Sequence, residues 1–164
     1  MVTNLSHPQR RGMNMKRRDE NHFKNYLVSQ LKVYGHIVAH EDKYSTGIPD
    51  TDYCFSGVAG WMELKIIQYW PKKADTNLHT PLKHLTNDQI NWMKKRINAG
   101  GHAFLLLKVM STKEYLLFHG GDARRLKENT REEAYKLCIS CWQGSLPPMQ
   151  LVADLTLQEV QYEC

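Results

Sequence analysis

Long apolar stretches are missing from this sequence. No run approaches the roughly 20 residues that a membrane-spanning helix needs, so the chain is read as soluble, with no membrane partner. The N-terminus, MVTNLSHPQRRGMNMKRRDE, has no hydrophobic segment behind its positive charges, which excludes an ordinary secretory signal. Cysteine is scarce: four residues at irregular spacing in 164 do not form a disulfide framework, and they point to a reducing cytoplasm. Internal repeats are absent, as is any low-complexity tract beyond the basic N-terminus. A glycine-rich nucleotide loop is absent too, because Gly100-Gly101 and Gly120-Gly121 lack the required spacing; no nucleotide cofactor is expected.

What is present suits one domain with a single core. The net charge of +5 and the pI near 9.0 are mild, but the cations are clustered. Arg10, Arg11, Lys16, Arg17 and Arg18 crowd the first eighteen residues, Lys94, Lys95 and Arg96 form a second run, and Arg124, Arg125 and Lys127 a third. Any one such cluster reads as a solvated face; several on an otherwise balanced chain fit a polyanionic partner such as nucleic acid.

Residues 1–18 are basic and without periodicity, which predicts a flexible arm ahead of a single domain over 19–164. Phe23, Leu27, Leu31 and Tyr34 then recur at helical spacing up to Gly35. HIVAHED reads as a short strand, and TDYCF and GWMELKII as two strands joined by the SGVAG turn. Residues 68–85 hold two prolines and no period, which predicts a long loop. Thr86-Asn-Asp-Gln89 has the form of a capping box, opening a helix whose inward stripe is Ile90, Met93 and Ile97. HAFLLLKVM reads as a central strand and KEYLLFH as its partner. GGDARRLKE predicts a short helix, and TREEAYKLCISCW a longer one. MQLVADLTLQEV is ambiguous between helix and strand. The order predicts an α/β fold with a mixed sheet.

Alternation on a strand puts Glu63 and Lys65 on one face with Trp61, while Met62, Leu64 and Ile66 face an apolar layer. Asp50 and Asp52 share a face of the preceding strand, and the hairpin can bring one of them beside Glu63. Carboxylates gathered without a counter-charge repel one another and favour a divalent cation. Hard oxygen ligands select Mg²⁺ or Mn²⁺ rather than Zn²⁺. A metal there can supply a hydroxide nucleophile and polarise a phosphoryl oxygen, with Lys65 orienting water or neutralising developing charge. A surface hairpin with a weak exposed Glu–Lys pair is the structural alternative.

Other motifs carry less. Cys138 and Cys141 have the spacing of half a zinc site with no second pair, and in a helical stretch they read as small hydrophobes. His36 and His40 lie too far apart along a strand to share a metal easily, and Trp70, Trp92 and Trp142 read as core or interface.

Pro49-Asp50 followed by Glu63-Leu64-Lys65 resembles the PD-(D/E)xK motif of the restriction-endonuclease-like nucleases. Glu20, Phe23 and Leu27 are similar to the first-helix pattern that often carries an additional metal-site acid in that superfamily. Leu85-Thr86-Asn87-Asp88-Gln89 is similar to the L-[ST]-x-x-Q segment of the VRR-NUC group and to the corresponding helix of RecU-type Holliday junction resolvases. AGGHAFLLLKV and KEYLLF resemble the last two strands of those proteins, so the resemblance spans roughly residues 20–126.

The resemblance implies a restriction-endonuclease-like core: a helix, three strands, a helix and one or more further strands, with helices flanking a mixed sheet. It implies Asp50 and Glu63 as metal ligands assisted by the Leu64 carbonyl, Lys65 as the catalytic lysine, Glu20 as a second-site acid and Gln89 as a contact to water or phosphate. Asp19 competes with Glu20, and Asp52 with Asp50, for these roles. The function implied is Mg²⁺-dependent cleavage of branched DNA, with Mn²⁺ able to substitute, by a phage or bacterial homodimer. Arg17, Arg18, Lys72, Lys73, Lys94 and Lys95 are the expected backbone contacts. A flap, nicking or restriction-like nuclease of the same fold, or a non-catalytic nucleic-acid-binding module, are the alternatives.

Overall fold

The computed structural model describes residues 8–40 and 47–156, with the backbone alone for 8–18. Six strands form one sheet in chain order: β1 (His36–Ala39), β2 (Thr51–Phe55), β3 (Val58–Ile67), β4 (His102–Val109), β5 (Glu114–His119) and β6 (Ser140–Gln143). β3 and β4 are parallel and all other neighbours antiparallel. The parallel pair needs a crossover, and the chain from Gln68 to α2 (Asn87–Asn98) supplies it. The β2–β3 turn places Ser56 and Gly57 at φ 49° and 84°, the paired positive angles that match strand twist in a two-residue hairpin.

Alternation along β3 and β4 divides the interior into two layers. Met62, Leu64, Ile66, Phe104 and Leu106 pack beneath α1 (Pro8–Leu31), with Phe23, Leu27 and Leu31 as the helix's buried stripe. α5 (Pro148–Thr156) adds Leu151 and Leu155 to that layer. Ile67, Leu105, Leu107 and Val109 face the opposite way, against Ile90 and Met93 of α2 and against α3 (Ala123–Glu128) and α4 (Arg131–Leu137). Leu78, Leu82 and Leu85 bury the long loop on this second side, so it is a packed wall without helix or strand. Each fully buried Leu or Phe contributes roughly 1.5–3 kcal/mol over an exposed one.

Three elements differ from the sequence expectations. α1 begins at Pro8, so the arm expected over residues 1–18 has a helical backbone from residue 8 on. Absent apolar periodicity does not exclude a helix; proline suits a first helical position, and Met, Lys and Arg are good helix formers. At the other end α1 stops at Leu31, and Tyr34 lies beyond the helix at 39 % exposure. Residues 1–7 lie outside the described part. The helix expected through Trp142 ends at Leu137, where Cys138 turns extended, and residues 140–143 instead pair with β5 as β6. The ambiguous tail is helical through Thr156 as α5, and its residues 157–160 lie outside the described part. Among the described residues, no helix is long and apolar enough to cross a membrane.

Candidate active site

The β2–β3 register sets Thr51 opposite Met62 and Asp52 opposite Trp61, which brings Asp50, one residue before Thr51, alongside Glu63. The Asp50 carboxylate accepts a hydrogen bond from the Leu64 amide at 2.9 Å through Oδ2. Gly47 fixes the approach of this segment. It has φ 92°, and a Cβ there would stand 2.7 Å from the backbone of Asp88 in the first turn of α2. Only glycine lets the turn before Pro49-Asp50 lie against that helix.

Glu63 and Lys65 sit on the α2-facing side of β3, at 0 % and 7 % exposure. Lys65 Nζ lies 2.5 Å from Glu63 Oε1. The same oxygen accepts Gln89 Nε2 at 2.7 Å. Gln89 is at the third position of α2, where the capping box forms in full: its amide donates to Thr86 Oγ1 at 3.2 Å, and its side-chain oxygen accepts the Thr86 amide at 3.0 Å. The helix cap therefore aims the Gln89 amide group at β3. Glu63 Oε2 is buried and has no hydrogen-bond partner among the described residues.

The electrostatics follow from this enclosure. Burial pushes the Glu63 carboxyl up to about 7; the Lys65 charge opposes the shift, and the Asp50 and Glu20 charges add to it. Burial acts to lower Lys65, but the Glu63, Asp50 and Glu20 carboxylates outweigh it and hold the ammonium above its ordinary value. Lys65 therefore stays protonated within a cluster of three acids. Glu20, half-buried on α1, is the helix acid that acts on this pair, whereas the charge of Asp19 acts on Lys108 of β4. An unpartnered buried carboxylate oxygen costs about 1–3 kcal/mol, and excess negative charge beside it favours a cation.

Among the described residues, no group of three or more His, Cys, Asp or Glu side chains converges on a common metal position. The donor set at Asp50 and Glu63 nonetheless fits Mg²⁺, which keeps several waters and is usually held by one or two carboxylates. The orphaned Glu63 Oε2 is the atom such an ion would satisfy.

Asp52, the rival to Asp50, points elsewhere. Its Oδ1 lies 2.8 Å from His40 Nε2, and the imidazole stacks on Trp61 with ring centroids 5.1 Å apart. Trp92 of α2 meets Trp61 edge-on at 5.0 Å. Sequence reasoning missed His40 as a neighbour of the site, since only the β1–β2 register places it there, its amide donating to the Asp50 carbonyl at 2.8 Å. Lys24 was missed as well: it is 6 % exposed and donates to the His40 carbonyl at 3.0 Å, tying α1 to the end of β1. Its signal was weak but present, one helical turn after Glu20.

The basic residues do not join the carboxylate cluster. Lys94 and Lys95 are exposed on α2, and Lys72 and Lys73 are exposed in the loop after β3. Arg17 and Arg18 lie on the α1 backbone, and their side chains are outside the described part. Cys138 is half-buried and donates to the Tyr135 carbonyl, while Cys141 is exposed on β6 rather than helical.

Neither protein-family models nor curated proteins give a match to this chain. Among solved structures it is similar to Archaeoglobus fulgidus Hjc, described as a Holliday junction resolvase from an archaeal hyperthermophile. The TM-score is 0.50 at 17 % identity, covering 73 % of this chain and 94 % of that one. At that identity the likeness is one of fold: this chain has a restriction-endonuclease-like fold, with a mixed six-stranded sheet flanked by helices.

Proposed function

We propose that this protein is a metal-dependent endonuclease that hydrolyses phosphodiester bonds in branched DNA, in the manner of a Holliday junction resolvase. The observation that carries the reading is the convergence of Asp50, Glu63, Lys65 and Gln89, from two strands and a helix cap, around a buried Glu63 oxygen left without a partner. A hairpin serving only structure has no use for that arrangement, because replacing buried charges by apolar side chains is often neutral or stabilising. The PD-(D/E)xK pattern and the fold likeness to Hjc agree with it.

Asp50 and Glu63 would hold Mg²⁺ or Mn²⁺, with the Leu64 carbonyl assisting and Glu20 as a second acid. Bound there, the ion supplies a Lewis acid and a lowered pKa for water. Lys65, kept charged by its three acidic neighbours, neutralises negative charge developing at phosphorus and orients the attacking water. Gln89 holds Glu63 Oε1, which leaves Oε2 as the oxygen that would bind an ion. Lys72, Lys73, Lys94 and Lys95, with Arg17 and Arg18, grip backbone phosphates without reading bases. Cutting two symmetric strands calls for two copies of the site, hence a homodimer.

The test uses labelled four-way junction, flap, duplex and single-stranded DNA, each in Mg²⁺, Mn²⁺ and EDTA, with Glu63→Ala and Lys65→Ala in parallel. Metal-dependent cleavage that falls at least about a hundredfold in both variants is expected. Absence of metal-dependent cleavage on every substrate overturns the enzyme reading, and cleavage that survives Glu63→Ala overturns the site. Paired symmetric cuts near a junction support a resolvase, whereas cuts confined to flaps count against it.

A further inference from the structure

A second buried acid organises a pocket on the same side of the sheet, beyond the end of β3. Glu114, the first residue of β5, is 8 % exposed. Neutral donors meet both of its oxygens: Trp70 Nε1 reaches Oε2 at 2.7 Å, the Thr112 hydroxyl donates to the same oxygen, and the Tyr135 hydroxyl donates to Oε1. Arg131, at the start of α4, lies over this arrangement. Its guanidinium carbon is 5.1 Å from the Trp70 ring centroid and 5.4 Å from that of Tyr135. Nε and Nη2 donate to the Tyr135 hydroxyl oxygen at 3.1 and 2.9 Å, and Nη2 is 3.9 Å from Glu114 Oε2. Nη1 has no hydrogen-bond partner among the described residues, and the side chain is 45 % exposed.

The pocket beside it has a volume of about 370 Å³ and is lined by Pro71, Lys72, Ala74, Arg131, Glu132 and Tyr135. Glu132 is engaged by Lys136 at 2.9 Å, which leaves Arg131 and Lys72 as the cations of the lining. A purely structural Arg131–Glu114 ion pair explains little of this. Glu114 is already satisfied by neutral donors, and a half-exposed contact of that length contributes about 0–1 kcal/mol. The two aromatic faces do something else: they immobilise the guanidinium while leaving one end of its fork open. A preorganised fork beside a second cation is the chemistry that recognises a phosphate, and Pro71, Ala74 and the Tyr135 ring offer apolar walls for the attached sugar or base.

The position suits the proposed substrate. Ile67 and Trp70 belong to the apolar layer on the α2 side of the sheet, the side that Glu63 and Lys65 face. Trp70 lies five positions after Lys65, a span of at most roughly 17 Å, or about five base-pair rises of duplex DNA. We infer that the Arg131–Lys72 pocket is a phosphate-binding subsite that holds the DNA strand a few nucleotides from the bond cleaved at Asp50 and Glu63. This rests on the nuclease reading above.

The experiment uses the full chain, with Arg131→Gln, Arg131→Lys and Lys72→Gln, and Lys32→Gln, in the exposed turn after α1 and outside the pocket lining, as a control. Junction binding is measured in EDTA over a range of salt, cleavage in Mg²⁺ as KM and kcat, and thermal midpoints alongside. Arg131→Gln and Lys72→Gln are expected to raise Kd and KM about 5- to 20-fold with kcat within about twofold. Each should lower the slope of log K against log salt by about one. Arg131→Lys should recover the slope but only part of the affinity, and Lys32→Gln should match the parent. An unchanged Kd and salt slope in Arg131→Gln overturns the inference, whatever happens to its midpoint or kcat. A parent that binds DNA but never cuts it sinks the nuclease reading, and the salt slopes in EDTA still decide the subsite. Titration with dAMP separates the two sources of phosphate: saturable dAMP binding lost in Arg131→Gln, with DNA binding unaltered, overturns the strand assignment in favour of free nucleotides.

Discussion

Gln89 donates from Nε2 to Glu63 Oε1 at 2.7 Å while its own side-chain oxygen accepts the Thr86 amide at 3.0 Å. One side chain thus closes the α2 cap and fixes the buried acid of β3. Helix start and site geometry cannot be varied separately at this position.

That dual use separates two variants. Gln89→Ala removes half of the capping box and the donor to Glu63, so we expect a loss of about 1 kcal/mol together with at least about a tenfold fall in cleavage. Gln89→Glu keeps an acceptor for the Thr86 amide but sets an acid against Glu63. It should lose activity to a similar degree while retaining more of the helix cap. Chemical denaturation and junction cleavage on both variants check this; equal activity in Gln89→Glu and the parent would remove Gln89 from the site.

Asp50 and Asp52 share a strand face but differ in partners, one bonded to the Leu64 amide and the other to His40. Asp50→Asn should abolish both cleavage and the rise in thermal midpoint on adding Mg²⁺. Asp52→Asn should keep both, with at most about a threefold loss of rate, because it loosens only the half-exposed His40 contact. The reverse ranking would reassign the ligand to Asp52.

The raised Glu63 pKa sets a pH window. The folded chain keeps the Glu63 proton up to about 7, whereas an unfolded chain releases it near 4.5, the ordinary carboxyl value. Between those values the folded state binds more protons, so the contribution of this group to stability is fully present below about 4.5 and is lost as pH rises towards 7. Mg²⁺ requires the ionised form, so its stabilising increment should grow with pH through the same upper limit. Thermal midpoints from pH 5.5 to 8.5, with and without Mg²⁺, are the measurement. Glu63→Gln should lose the metal increment and flatten the pH dependence; a Mg²⁺ increment that is equal at both ends of the range contradicts the assignment.

The features that are local in the chain are legible from the amino-acid order alone. The β2–β3 turn, expected over Ser56–Gly60 and formed by Ser56 and Gly57 alone with β3 starting at Val58, the Thr86–Gln89 box and the alternation around Glu63 each rest on residues within a few positions of one another. What the sequence could not show depends on pairing between distant segments. Ser140–Gln143 has no strong local preference and becomes a strand because the edge of β5 needs a partner. His40 reaches Asp52 only through the β1–β2 register, and Arg131 is set over Trp70 by packing between a loop and a helix far apart in the chain. The burial of Glu63 was equally invisible, because an E-x-K strand triplet looks the same on a surface.

The N-terminal residues supply a test in which structure and charge separate. α1 begins at Pro8, and the buried residues of its described stretch begin at Phe23. Removing residues 1–18 deletes Arg10, Arg11, Lys16, Arg17 and Arg18 while leaving Glu20, Phe23, Lys24 and Leu27 in place. The shortened chain should keep its fold, with a thermal midpoint within a few degrees of the parent, because it retains every α1 residue of the described core and helical stability comes mostly from tertiary packing. Its affinity for junction DNA should fall, and the slope of log K against log salt should shrink by about 0.9 for each phosphate no longer neutralised. Cleavage at saturating DNA should persist, since no group placed at the carboxylate cluster is removed. Circular dichroism, salt-dependent binding and single-turnover cleavage on the same preparation separate these effects. An unchanged salt slope would show that the basic residues ahead of Asp19 do not touch the nucleic acid.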